Sequence, residues 1–301
     1  MTLYEMRENF ETTKKIYDCA LLTFHGVDGF DVYNCSCPFD FEGKTYIYGR
    51  VERRDEWATS WVYLFEQTAQ DTFTAVPNSM IYQLEDPYIT FINGELIMGG
   101  THVVKKSGKV DYYLAYFYKG KSPHDMRYFT SGPKGMKDIR LIQLGEQIGV
   151  FSRPSGKVGF CKIGDISELT AETIASAPIC DLVDGYGGIN QCYALDGGTI
   201  GTIGHDVYHK DNEKGQKVSV YVTTAAVFDP NKQTVLMKKI IATRDCFPPS
   251  NDIKMNPAGW PLDDITFPSG IVKREDGKAD LYSGLSDARE GRAVIDWPFR
   301  Q

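Results

Sequence analysis

Segment 84–90 carries two adjacent carboxylates, Glu85 and Asp86, at the start of an apolar run. Pro87 fixes the backbone directly after them, and the Asn93-Gly94 pair beyond the run is typical of a tight β-hairpin turn. A carboxyl group at the mouth of a strand can act as a general acid if its surroundings keep it protonated. Asp86 is therefore the leading candidate for a catalytic residue. Because neighbouring side chains of an extended strand point to opposite faces, we expect Glu85 to be structural.

The pattern around Asp86 recurs along the chain. Five times a polar anchor precedes an apolar strand, a tight turn, and a second strand that ends in small and charged residues. A repeat of about 50 residues that is rich in β-branched and aromatic residues has the size of one four-stranded propeller blade. The sequence thus predicts an all-β fold, a five-bladed β-propeller with four-stranded antiparallel blades. The anchors are Asn34, Asp86, Asp138 and Asn190, spaced 52 residues apart, and a fifth segment, 267–270, that contains Ser269.

These repeats fill the chain, which we interpret as one propeller domain spanning residues 1–301. The inner hairpins of the blades are predicted near 34–52, 86–102, 138–153, 190–206 and 267–287. Since the inner strands of a propeller converge on its axis, we expect the five anchors to form a ring around one pocket. The ends of the second strands would add Arg50, Glu52, His102, Arg153, His205, Asp206 and Asp287 to that ring.

Two interpretations of this ring remain open. The Asp and Asn side chains could simply accept backbone N–H groups at the start of each blade. Alternatively the ring is a functional site, because bringing so many charges together out of water is costly without a use for them. Capping does not require the Arg and His side chains at the strand ends, which favours a site.

Composition and charge narrow the class of protein. With 301 residues, 42% of them hydrophobic, the chain can bury a large core, and its net charge of −7 gives no basic field to attract nucleic acid. The N-terminal segment is unlike a signal peptide and no apolar run reaches the roughly 18 residues of a membrane helix, so we expect a cytoplasmic protein without a membrane partner. Cys35 and Cys37 lack the second Cys or His pair of a zinc site, and neither a metal nor a cofactor is predicted.

Several segments resemble known carbohydrate-active proteins. Glu85-Asp86-Pro87, Lys137 to Leu141, and 267–270 leading to 282–287 look like the signature segments of β-mannoside phosphorylases, and the likeness extends roughly from residue 33 to 296. More closely, segments 33–36, 85–90, 185–191 and 284–288 resemble an uncharacterised bacterial family, domain of unknown function 1861. That family is regarded as a relative of five-bladed furanosidases and mannoside phosphorylases. The resemblance implies carbohydrate chemistry, with Asp86 matching the proton donor of the phosphorylases.

Two positions depart from these relatives. Tyr88 stands where the phosphorylases have Arg, so we expect the contacts to the sugar to differ. Asn34 stands where the furanosidases have an Asp that acts as nucleophile or base. The second departure motivates an alternative function, that of a catalytically inactive sugar-binding propeller.

Together these residues predict an enzyme that cleaves a glycosidic bond of a small oligosaccharide or glycoside by hydrolysis or phosphorolysis. Asp86 is the expected general acid and Glu52 the first choice for a second carboxylate, followed by Asp138 and Asp287. The partners would be a small carbohydrate and, for phosphorolysis, inorganic phosphate, which Arg side chains suit unless they form salt bridges instead. The predicted substrate contacts are Asn34, Arg50, His102, Arg140, Arg153, Tyr186, Asn190, His205 and Ser269.

The Pro-rich loop 246–261, which contains Trp260, is longer than the other connections. It can be interpreted as a connection packed between blades or as a lid that contacts substrate. Because aromatic rings stack on sugars, Tyr33, Tyr88, Tyr186 and Trp260 are the aromatic residues we expect nearest to the substrate.

Overall fold

Five β-sheets surround a common axis in the computed structural model, which describes residues 2–212 and 215–299. The five-bladed β-propeller is thereby confirmed. In chain order the strands are β1 (Asp18–Leu21), β2 (Thr23–His25), β3 (Asp31–Tyr33), β4 (Phe39–Phe41), β5 (Lys44–Glu52), β6 (Trp61–Ala69), β7 (Thr72–Ala75), β8 (Glu85–Ile92), β9 (Glu95–Lys106), β10 (Lys109–Gly120), β11 (Arg127–Ser131), β12 (Arg140–Leu144), β13 (Gln147–Ser152), β14 (Val158–Ile163), β15 (Ile179–Cys180), β16 (Tyr186–Ala194), β17 (Ile200–Asp211), β18 (Lys217–Asp229), β19 (Thr234–Ala242), β20 (Thr266–Lys273), β21 (Lys278–Leu285) and β22 (Arg289–Asp296).

Four of the blades are four-stranded and antiparallel, as predicted, with the orders β8-β9-β10-β11, β12-β13-β14-β15, β16-β17-β18-β19 and β20-β21-β22-β1. The first blade is larger, because both β3 and β4 pair with β5, and because β2 adds a parallel strand outside β7. Hydrophobic clusters fill the spaces between blades; Tyr88 and Phe117 of the second blade pack with Leu141 and Val150 of the third. These clusters fix the blades relative to one another and hence the side chains on the axis.

The N-terminal strand closes the ring of blades. Residues Asp18 to Leu21 pair with β22, so the first strand of the chain is the outer strand of the last blade. Arg292 strengthens this closure by donating to Asp18 at 2.8 Å and to Asp71, in the first blade, at 2.8 Å. Closure ties the last blade to the first part of the chain, and the sheet edges that remain are short and protected.

Helices are few among the described residues. Helix α1 (Leu3–Thr13) begins with a capping box formed by Thr2 and Glu5 and packs against the fourth blade, and α2 (Ala171–Ala175) is a single short turn. No described helix is long and apolar enough to cross a membrane. The remaining helical turns are 3₁₀ segments at Pro154–Gly156, Ile166–Glu168, Asp196–Gly198 and Arg244–Cys246.

The anchors of the repeat share a backbone distortion near the start of each inner strand. Asn34, Asp86 and Asp138 have φ angles of 47°, 50° and 55°, in the left-handed region that Asn and Asp tolerate best. In β8 this coincides with a register shift between Glu85 and Tyr88, and similar shifts accompany the fourth and fifth anchors. Each anchor therefore lies at a local distortion of its blade, either a positive φ angle or a register shift, and Asp86 has both.

Candidate active site

A cavity of about 470 Å³ opens on the axis at the end where the inner strands begin. A larger one, of about 740 Å³, lies at the far ends of these strands, near Phe91, Tyr193 and Trp297. We place the candidate site in the smaller cavity, because the ionisable groups that could act on a substrate converge there. Its polar lining includes Asn34, Glu85, Asp86 and Asp287, its cations are Arg50 and Lys137, and its aromatic residues are Trp57, Tyr113, Tyr186, Tyr221 and Phe267.

Arg50 organises the acidic side of this cavity. Its guanidinium donates to Asp86 Oδ1 at 2.8 Å, to Glu85 Oε1 at 3.1 Å and to Glu52 Oε2 at 3.2 Å. The expectation that Glu85 points away from Asp86 is therefore wrong. The positive φ of Asp86 removes the two-residue alternation of the strand and turns both carboxylates toward Arg50.

Asn34 joins the carboxylates of two different blades. Its Nδ2 group donates to Asp86 Oδ1 at 3.0 Å and to Asp287 Oδ1 at 3.3 Å, so the two oxygens lie no farther apart than the sum of these distances. Burial, and then the charge of Asp86, raise the pKa of Asp287 against the opposing effect of Arg50. Burial also raises the pKa of Glu85. With their raised pKa values, Asp287 and Glu85 retain a proton more readily than isolated carboxyl groups would.

Glu52, the first choice for a second carboxylate, does not line the cavity. It is 1% exposed, its Oε1 accepts from the Thr59 amide at 2.8 Å, and its Oε2 accepts from Tyr33, Arg50 and Lys254. Burial alone would raise the pKa of Glu52, but the charges of Arg50 and Lys254 outweigh it and lower the value to about 2. We therefore assign Glu52 the role of holding Arg50 and Lys254 in place.

The Pro-rich loop is a packed connection that also lines the cavity. Lys254 is 0% exposed and fixes the loop to Glu52, as expected of a packed connection. Farther along the loop, Asn256 lines the cavity, and Trp57 of the facing loop is bound to it through an Nε1–H bond to the Met255 carbonyl at 3.0 Å. The loop is thus a fixed wall of the site.

The third and fourth blades place a second polar network beneath the cavity. Arg153 donates to Asp138 Oδ2 at 2.6 Å, and His205 Nδ1 lies 2.7 Å from Asn190 Oδ1. Burial and the charge of Arg153 lower the pKa of His205 well below its usual value, so the ring is neutral, donates from Nδ1 and can accept from Arg153 at Nε2. Burial opposes the charge of Arg153 at Asp138 but is outweighed, so the pKa of Asp138 is lowered.

Eight of the predicted site residues do not line the cavity: Glu52, His102, Asp138, Arg140, Arg153, Asn190, His205 and Ser269. Besides the residues of the second network, Arg140 donates to the Asn190 carbonyl at 2.6 Å and packs over Tyr88. His102 stacks on Tyr116 outside the cavity, and Ser269 donates to the buried Glu290 at 2.6 Å. Of the five anchors, Asn34 and Asp86 line the cavity. The other three, Asp138, Asn190 and Ser269, form buried contacts outside it, so the ring expected from the period is not formed in full.

Residues 8–301 match the family model described as protein of unknown function, DUF1861. The chain belongs to this family. The resemblance seen in the sequence is thereby confirmed, whereas no curated protein matches the DUF1861 chain.

Two solved structures from Leishmania mexicana are similar to this DUF1861 chain over nearly its whole length. MPT-4, a mannose phosphorylase in complex with a phosphate ion, is 49% identical with a TM-score of 0.93, over 99% of this chain and 93% of its own. MPT-1, a GDP-Man-dependent mannosyltransferase, is 46% identical with a TM-score of 0.94, over 100% and 96%. The β-1,2-mannobiose phosphorylase of Listeria innocua shares the fold at 14% identity, with a TM-score of 0.61 over 89% and 91%. The DUF1861 chain thus belongs with carbohydrate-active enzymes.

Lys137 is a site residue that the sequence left unassigned. It lines the cavity of the DUF1861 chain and has no carboxylate within ion-pair distance among residues 2–212 and 215–299. Burial works against its charge, but the charges of Asp138 and Asp86 outweigh burial and raise the pKa of Lys137, which keeps the amine protonated. The repeat could have indicated this residue, because Lys137 directly precedes the anchor Asp138 just as Glu85 directly precedes the anchor Asp86.

Gly284 is required for the position of Asn34 in the DUF1861 chain. A Cβ atom at Gly284 would lie 1.9 Å from Asn34 Oδ1 and 2.7 Å from its backbone nitrogen. We expect Gly284→Ala to displace Asn34 and lower kcat about 100-fold, because small shifts of positioning groups have effects of that size. Steady-state kinetics check this, with Gly164→Ala as a control, since a Cβ there meets a flexible Glu168 side chain. Equal activity of both variants would show that Asn34 does not position the carboxylates.

Proposed function

We propose that this chain is a mannoside phosphorylase, which transfers a mannosyl group between a sugar hydroxyl and inorganic phosphate. The observation that carries the proposal is the placement of Lys137 and Arg50 in one cavity with the carboxyl groups of Glu85, Asp86 and Asp287. Cations suit the phosphate, and a carboxyl group can supply the proton for the departing oxygen. The 49% identity to MPT-4, a mannose phosphorylase solved with phosphate, supports the same assignment.

In the proposed reaction a phosphate oxygen attacks the anomeric carbon of the mannosyl group, and the bond from that carbon to the bridging oxygen breaks. Asp86 gives its proton to the departing oxygen, which leaves as a sugar hydroxyl while the mannosyl group leaves as mannosyl phosphate. Asn34 and Arg50 both bind Asp86 Oδ1, so Oδ2 is the oxygen left for the substrate. The sequence resemblance of Asp86 to the proton donor of mannoside phosphorylases supports this role.

Phosphorolysis also fits the position of Glu52. A hydrolase that inverts configuration needs a carboxylate to activate water, whereas in phosphorolysis the phosphate itself is the nucleophile. Glu52, held by Lys254 and Arg50, is not free to activate water. A second carboxylate is unnecessary for the reaction proposed here.

A second candidate is mannosyl transfer from GDP-mannose, which the 46% identity to MPT-1 favours. In that reaction the departing group is a nucleoside diphosphate and Asp86 would accept the proton of the attacking sugar hydroxyl. The donor separates the two functions: turnover of a mannoside that requires inorganic phosphate supports the phosphorylase. Turnover that requires GDP-mannose supports the transferase, and tight sugar binding without any product supports the inactive propeller.

Lys137→Met tests the phosphate assignment. The variant keeps the length of the side chain and loses its charge, so we expect the KM for phosphate to rise at least about tenfold, with a smaller change in the KM for the mannoside. Lys134→Met is the matched control, because Lys134 is exposed and packs over Tyr112 instead of lining the cavity. An unchanged KM for phosphate in Lys137→Met would remove Lys137 from the phosphate site.

A further inference from the structure

A further cavity, of about 260 Å³ and distinct from the one near Trp297, adjoins the candidate site. It is called the adjoining cavity below. Three residues, Ser219, Asn256 and Leu262, line both cavities, so the two cavities are adjacent. The adjoining cavity lies on the side of Ser219 away from Tyr221, toward the end of the β17–β18 hairpin. Its other walls are His209, Lys217, Val218, Trp260 and Pro261.

The loop that carries Trp260 is held rigidly by its own hydrogen bonds. The Asn256 amide donates to the Trp260 carbonyl at 2.7 Å, and Asn256 Oδ1 accepts from the amides of Ala258 and Trp260, both at 2.9 Å. Lys254, two residues earlier, is fixed to Glu52 beneath the cavity. The indole is therefore presented from a preformed turn, and the Nδ2 group of Asn256 remains available as a donor.

The facing wall is polar and carries little charge. Ser219 Oγ lies 3.3 Å from His209 Nδ1, and Lys217 supplies one cation at the start of β18. A partly exposed indole that shares a cavity with hydroxyl, imidazole and amide groups has the character of a sugar subsite, since sugars combine apolar ring faces with hydroxyl groups. A nucleoside diphosphate would bring at least two negative charges to a cavity lined by a single Lys.

We infer that the two cavities form one groove and that Trp260 is the platform of a distal sugar subsite, so that the enzyme acts on mannosides longer than a disaccharide. This inference rests on the proposed function. The mannosyl unit that is transferred lies beside Asp86 and Lys137, the next unit lies near Trp57 and Asn256, and the following unit stacks on Trp260.

The test is the dependence of kcat/KM for phosphorolysis on the number of mannose units, from two to five, at saturating phosphate. We expect kcat/KM to rise about tenfold from the disaccharide to the trisaccharide and then to level off, because one more ring is stacked. Trp260→Ala is expected to bring the trisaccharide-to-disaccharide ratio close to one, and Trp260→Phe to restore most of it. Trp61→Ala is the control, because Trp61 is 42% exposed on the first blade and lines neither cavity.

The possible outcomes separate this inference from the proposed function. Ready phosphorolysis without any effect of chain length, or with an effect that survives Trp260→Ala, would overturn the distal subsite and leave the phosphorylase intact. If no sugar phosphate forms from any mannoside, the proposed function fails, and calorimetric titration with the same oligosaccharides tests the subsite directly. Affinity that increases with length in the wild type but not in Trp260→Ala would support it. GDP binding that requires Trp260, with no binding of oligosaccharides, would overturn it.

Discussion

Asp86→Asn is expected to lower kcat for a natural mannoside about 1000-fold, because the departing oxygen then loses its proton donor. The change is isosteric, and the amide oxygen can still accept from Asn34 and Arg50, so thermal unfolding should stay within a few degrees of the wild type. A nitrophenyl mannoside, whose leaving group needs little protonation, should lose much less activity. The measurement is kcat for both substrates, and the difference between them isolates proton donation from positioning.

Glu85→Gln is the matched control for Asp86→Asn. Glu85 also binds Arg50 and lines the same cavity, so this variant removes a similar ion pair without removing the proposed proton donor. We expect a loss of less than about tenfold, of the size of other changes near but not at the reacting group. If Glu85→Gln lost as much activity as Asp86→Asn, or if Asp86→Asn kept most of its activity, Asp86 would not be the acid.

Lys254→Met is expected to lower the free energy of unfolding by about 3 kcal/mol, because it leaves the buried Glu52 carboxylate with one cation fewer. Lys254 is 0% exposed and Glu52 is 1% exposed, so water cannot replace the lost partner. Chemical denaturation monitored by tryptophan fluorescence measures this difference. Lys44→Met serves as the control: it removes the exposed pair with Glu66, which should contribute less than about 1 kcal/mol.

The same pair predicts how stability responds to acid. The folded-state pKa of Glu52, about 2, lies below its ordinary value of 4.5, so its contribution is present above pH 4.5 and is lost as the pH falls toward 2. Removing Lys254 raises the folded-state pKa of Glu52 and should therefore reduce the loss of stability across this range. A Lys254→Met variant with the stability and acid response of the wild type would show that the loop is held by other contacts.

The repeat made the fold predictable from sequence. The fixed spacing of four anchors defined the blades, and the anchors lie at positive φ angles or register shifts near the start of the inner strands. The same register brought Asn34, Asp86, Arg50 and Asp287 to one cavity although they belong to three blades. The period therefore predicted how far along the propeller axis each of these residues lies.

The direction of each side chain was not predictable in the same way. Glu85 turns toward Arg50 because Asp86 adopts a positive φ, which strand alternation does not anticipate. Glu52 is bound by Lys254, a partner 202 positions away on a long loop, and does not line the cavity. His102 has the right position in the repeat but stacks on Tyr116, since an aromatic neighbour on β10 was available. The pairings of Glu85 with Arg50 and of Glu52 with Lys254 join different parts of the ring, which a single repeat does not encode.

The most direct test of the proposed phosphorolysis is the balance between the two products of one reaction. The wild-type protein is incubated with a mannose disaccharide and inorganic phosphate; ³¹P NMR quantifies the sugar phosphate formed, and ¹H NMR quantifies the free mannose released. Phosphorolysis predicts equal amounts of the two products, and no release of mannose when phosphate is omitted. Release of mannose without sugar phosphate, at a rate independent of phosphate, would contradict the proposed function and would indicate a hydrolase.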